Sequence, residues 1–143
     1  MFVTVWLGIL ELSTGKLTAA NAGHEFPALK KANGRFELFR DKHGFVIGGM
    51  DGARYKEYEL QMEPGSKLFL YTDGVPEATD AEGTLFGTGR MLAALNEEAD
   101  DAKPESILKQ MHNAVNGFVK DAEQFDDLTM LCVHYIGKEI QNQ

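Results

Sequence analysis

The hydrophobic period of this chain changes at Asp73, and that change restricts the fold more than any other feature. Before it, apolar residues fall in short runs separated by turn residues; after it, they recur every three to four positions until a final apolar run. A period of two alternates side chains across a strand, whereas a period near 3.6 gathers them on one helix face. Strands first and helices late do not fit the regular strand-helix alternation of a parallel α/β fold. The expected class is therefore α+β, sheets with two late helices packed on one face.

Phe2-Val3-Thr4-Val5-Trp6-Leu7-Gly8-Ile9-Leu10 is rich in β-branched and aromatic residues, and a Ser13-Thr14-Gly15 turn joins it to Lys16-Leu17-Thr18-Ala19-Ala20 as a first hairpin. Ala28-Leu29-Lys30-Lys31 and Arg35-Phe36-Glu37-Leu38-Phe39-Arg40 flank Asn33-Gly34, two residues that tolerate positive φ, and read as a second. Tyr55-Lys56-Glu57-Tyr58-Glu59-Leu60 alternates charged with apolar residues. Pro64-Gly65 then turns the chain into Lys67-Leu68-Phe69-Leu70-Tyr71-Thr72, apolar on nearly both faces and expected at the centre of a sheet. Met91, Leu92, Leu95 and Ala99 mark one helical face; Ile107, Leu108, Met111, Val115, Phe118 and Val119 mark a longer one, with Pro104 suited to its first turn. Leu128-Thr129-Met130-Leu131-Cys132-Val133-His134-Tyr135 is apolar to both sides and predicts another interior strand.

At 143 residues, 43% hydrophobic and 25% charged, the sequence describes a single domain over 1–143. A chain of this length typically buries roughly two-thirds of its unfolded surface, enough for an unaided core. With 14 Lys plus Arg against 22 Asp plus Glu the net charge is −8, and the longest basic run is Lys30-Lys31. Neither nucleic acid nor an anionic membrane surface is an expected partner. The single Cys132 excludes an internal disulfide framework and a cysteine zinc site. No apolar stretch nears the roughly 20 residues that span a bilayer. Residues 2–10 carry no signal-peptide pattern either, and the expected location is the cytoplasm.

Two aspartates at strand ends are the chemical signal. Asp73-Gly74 follows one apolar strand, and Asp126-Asp127 precede another. If these strands are antiparallel neighbours, Asp73 and Asp126 converge on one rim. Two carboxylates about 4 Å apart repel by about 4 kcal/mol at an effective dielectric of about 20, so such a pair would either protonate or hold a hard cation. Oxygen donors alone favour magnesium or manganese over zinc. Asp126 and Asp127, adjacent in extended chain, point to opposite faces, so only one is expected to touch the ion. Asn21-Ala22-Gly23-His24 could bring an imidazole to the same rim. Gly48-Gly49 and Gly87-Thr88-Gly89 lack the lysine of a phosphate-cradling loop and read as turns. No nucleophile elbow or Cys/His pair is present, so covalent catalysis has no candidate.

Together these stretches resemble the catalytic domain of the PPM-type metal-dependent protein serine/threonine phosphatases, in the SpoIIE/RsbU branch. The matching pieces are Phe2-Val3-Thr4, Thr14-Gly15-Lys16-Leu17, Asn21-Ala22-Gly23-His24, Pro64-Gly65, Leu70-Tyr71-Thr72-Asp73-Gly74-Val75 with Glu77-Ala78, Phe86-Gly87, and Asp126-Asp127-Leu128-Thr129, in the family's order over nearly the whole chain. The resemblance implies an α-β-β-α sandwich of antiparallel sheets with outer helices. It implies a two-metal centre of manganese or magnesium in which Asp73 and Asp126 are ligands, with Gly74 in the metal-binding set. Asp127, Asn21 and His24 fall in supporting positions. Family members also carry an upstream Gly-Asp-x-x-Gly motif whose aspartate bridges both metals. Asp41-Lys42-His43-Gly44 is no replacement, since it lacks the preceding glycine and lies on the wrong side of Asn21-Ala22-Gly23-His24. The chain is accordingly expected to be an N-terminally truncated phosphatase domain, with weak or absent turnover alone.

The implied reaction is in-line attack of metal-activated water on the phosphorus of phosphoserine or phosphothreonine. The implied substrate is a phosphorylated anti-sigma-factor antagonist, in bacterial stress or sporulation-type signalling, and an upstream sensor domain is an implied companion. An apolar first strand without its neighbour invites pairing of two copies as a homodimer. The alternative to an enzyme is a catalytically inactive regulatory interaction module of the same fold. A receiver-like phosphoacceptor fits poorly, because such folds alternate strand and helix from the start.

Overall fold

The computed structural model describes residues 2–122 and 128–137. Along the chain run β1 (Val5–Glu11), β2 (Lys16–Ala22), β3 (Ala28–Lys30), β4 (Phe36–Leu38), β5 (His43–Gly44), β6 (Tyr58–Gln61), β7 (Lys67–Tyr71), α1 (Gly87–Glu97), α2 (Pro104–Val119) and β8 (Met130–His134). Two four-stranded sheets form: β1-β2-β5 with β6 also on β2, and β4-β3-β7-β8. All pairings are antiparallel except a two-residue parallel one between β2 and β5.

The alternation seen in the sequence becomes layers. Leu17, Ala19, Met62, Leu68 and Tyr135 fill the space between the two sheets. Phe69, Tyr71 and Cys132, on the opposite face of the second sheet, pack with Met91, Leu95, Ile107, Met111 and Val115 of the helices. β7 is buried at Lys67, Leu68, Phe69 and Tyr71 because one face meets the other sheet and the other meets the helices. It is central, with β3 and β8 on either side. The α+β class and the face-to-face sheets are thus as expected, with both described helices on one sheet.

Three local expectations are corrected. β8 lies at the edge of its sheet among the described residues, not inside it. Its apolarity reports covered faces, since Cys132 meets the helices and Val133 packs against the core between the sheets. The second hairpin does not use positive φ at Asn33-Gly34. Its turn closes from Gly34 N to Lys31 O at 2.9 Å inside a five-residue connection, which ordinary backbone can make. Ala99 lies beyond α1 and is exposed; Ala94 takes its place on the buried face.

Candidate functional site

The register of β7 and β8, with Tyr71 opposite Met130, continues one residue past both strands, where Thr72 N donates to Thr129 O at 3.0 Å. Asp73 therefore leaves the sheet beside the segment that enters β8. It opens a tight turn in which Val75 N donates to Thr72 O at 3.2 Å and Glu77 N to Asp73 O at 2.9 Å. The turn leaves the Asp73 side chain exposed and buries Gly74 and Val75. Gly74 does not have positive φ, so the bend does not demand glycine on conformational grounds. Asp126 and Asp127 lie outside the described residues.

The end of β2 is shaped by a polar network. Asn21 is buried; its Oδ1 accepts from His24 N at 2.7 Å, and its Nδ2 donates to both Asp41 carboxylate oxygens at 3.0 and 3.1 Å. Asp41, also buried, accepts from the Tyr58 hydroxyl at 2.6 Å, which in turn accepts from Trp6 Nε1 at 3.0 Å. Burial, then the bond to Asp41, pushes the Tyr58 hydroxyl above its usual range. Gly23 sits at φ +73°, and a Cβ there would lie 2.5 Å from Val46 Cγ1, so the turn after Asn21 does require glycine. The His24 ring lies on the first strand's approach, Nδ1 3.2 Å from Thr4 Oγ1.

This turn delivers a residue that no sequence motif marks. Burial, then the charges of Asp73 and Glu77, hold Glu25 above the ordinary carboxylate range, and His24 and His43 only partly offset them. The charge of Asp73, just past β7, thus acts on Glu25, just past β2 in the other sheet. The available signal was position: Glu25 directly follows the Asn21-Ala22-Gly23-His24 stretch. A carboxylate raised by neighbouring negative charge is relieved by a cation, and hard oxygen donors fit magnesium or manganese. Among the described residues, no group of three His, Cys, Asp or Glu side chains could hold an ion by itself. The exposed carboxylate of Asp73 is of the hard oxygen type that suits magnesium or manganese.

Comparison with known proteins places this geometry. The family model for stage II sporulation protein E (SpoIIE) matches residues 1–136. Protein IcfG of Synechocystis sp. is 31% identical over 134 residues, 94% of this chain and 21% of that protein. Phosphoserine phosphatase RsbU of Bacillus subtilis is 27% identical over 133 residues, 92% of this chain and 38% of that protein. The phosphatase domain of SpoIIE from Bacillus subtilis, in a manganese-presoaked structure, superposes with a TM-score of 0.73 at 16% identity, covering 98% of this chain and 59% of that one. The chain thus spans well under half of each of the two sequence relatives. With the family model matching all but the last seven positions and the same sandwich in the solved domain, the chain belongs to the SpoIIE family, the SpoIIE/RsbU branch of PPM-type phosphatase domains.

Proposed function

We propose that this chain works as part of a metal-dependent phosphatase that hydrolyses phosphoserine or phosphothreonine in a protein substrate. The observation that carries this reading is the place of Asp73: at the end of the central strand, beside the segment that enters β8, with its charge acting on Glu25. Asp126 and Asp127 directly precede that segment in sequence. In this reading Asp73 and Asp126 hold manganese or magnesium, with Gly74 against the site. Asp127, Asn21 and His24 support it, Asn21 through the turn that its side chain closes. Bound ions would supply Lewis acidity toward water and the phosphoryl oxygens. The protein's share is position: a turn tied to Thr129 presents Asp73 to solvent, where a phosphate can reach it.

In this reading the substrate is a phosphorylated anti-sigma-factor antagonist and an upstream sensor domain is the companion; the similarity to a phosphoserine phosphatase, RsbU, supports the phosphoserine chemistry. A net charge of −8 repels a phosphorylated partner at long range, so recognition must rest on the ions and local contacts. Among the described residues no helix is long and apolar enough to cross a membrane, in keeping with a cytoplasmic setting. β1 at a sheet edge supports a homodimer.

A second reading is a catalytically inactive interaction module of the same fold. Calorimetric titration of manganese, with phosphate release from a phosphoprotein, separates the two. Asp73→Asn and Asp126→Asn are each expected to weaken manganese binding at least tenfold, on the order of 1.4 kcal/mol or more. Identical isotherms would remove both residues from the site, and binding without turnover would favour the module.

A further inference from the structure

At the end of β7 opposite Asp73, Lys67 and Lys30 face each other as direct cross-strand partners. Both share the helix-facing side of the sheet with Ala28 and Phe69, and they are 1% and 5% exposed. Like charges in that register destabilise a sheet, and buried lysines are normally paired. An ammonium carries three donors, so the two bring six. Among the described residues they make one hydrogen bond, from Lys67 Nζ to the main-chain oxygen of Asp100 at 2.8 Å. Lys30 Nζ is buried and makes none. Its ion pair, 3.4 Å to Asp100 Oδ1, is with a side chain 90% exposed and so screened by water.

Both lysines line a cavity of about 40 Å³ with Arg35, Asn96, Glu98 and Asp100, under the loop that joins α1 to α2. Asn96 is already engaged, its amide bonded to Phe36 N and O at 2.7 and 3.1 Å. His134 stands opposite Lys67 on the next strand. Burial and then Lys30 pull Lys67 below the usual lysine range, and Asp100 and Asp101 oppose this more weakly. Burial and then the two lysines lower His134 likewise.

We propose that this cavity binds a small inorganic anion, phosphate or chloride. At about 40 Å³ it has room for more than the one water that roughly 10–15 Å³ would hold, enough for a compact ion and too little for a nucleotide. Water could take up the free donors but would leave two adjacent ammonium groups opposed only by acids such as the water-screened Asp100; an anion meets both needs. Six residues at about 3.3 Å each put the cavity roughly 20 Å from Asp73 along the strand, so it is separate from the metal rim and independent of the phosphatase reading.

The test is titration of the full chain with sodium phosphate or sodium chloride, in EDTA and at ionic strength held constant by a bulky organic anion. Calorimetry and thermal unfolding read the result. One or both anions should bind saturably and raise the melting temperature; Lys30→Met should weaken that binding at least tenfold. Asp100→Asn should tighten it several-fold by removing a competing carboxylate, a result that a purely structural role for Lys30 would not produce. Saturation by chloride alone would support the site and name the halide as its occupant. Flat titrations with both anions, Lys30→Met binding like wild type, or Asp100→Asn leaving affinity unchanged or weaker would overturn it.

Discussion

Asp41 is buried without a cationic partner among the described residues, and three hydrogen bonds from Asn21 and Tyr58 meet its charge instead. Removing it strands the buried Asn21 amide and the half-buried Tyr58 hydroxyl, so Asp41→Ala should lower stability by about 2–4 kcal/mol in urea denaturation. Glu25 carries the opposite kind of imbalance. Its folded-state pKa is raised, so its contribution to stability is full below the ordinary glutamate range and is lost as pH rises through the folded value. In EDTA, Glu25→Gln should therefore have a higher urea midpoint than wild type at pH 7. The two midpoints should converge as the pH falls below the usual glutamate pKa. In the sequence Asp41 belongs only to an incomplete motif, and Glu25 to none. Asn21 and Asp41 lie 20 positions apart, and Trp6 and Tyr58 lie 52 apart, so no local pattern links them.

At the scale of elements, glycines separate what a turn requires from what a helix tolerates. Gly15 sits at φ +79°, and a Cβ there would fall 2.2 Å from Met62 O, the end of β6 being stitched to this turn through Met62 N and Gly15 O. Gly15→Ala should cost about 2–4 kcal/mol. Gly117, exposed in α2 with nothing within 4 Å of where a methyl would stand, should behave oppositely, with Gly117→Ala gaining up to about 1 kcal/mol. Guanidinium denaturation of both variants checks the contrast. The hairpins, the central strand and both helices were legible because each is written in local periodicity and turn residues. The edge position of β8 was not, since apolar alternation reports covered faces and says nothing of which strand edges are paired.

For the whole molecule, the described helices cover one sheet, and the outer face of the other carries Leu7 and Ile9, 61% and 69% exposed, on edge strand β1. An apolar edge of this kind templates strand pairing. Light scattering at high concentration should find a dimer that Leu7→Lys with Ile9→Lys disperses; a monomeric wild type would remove the homodimer. The α+β class, the order of strands and helices and the acidic residue at the end of the central strand are all readable from the amino acids, because period, turn chemistry and strand ends are local properties. Which groups act on one another was settled by packing alone: the charge of Asp73 on Glu25, and Lys30 opposite Lys67. Strand pairing and layer stacking bring together residues tens of positions apart, and their charges act through space.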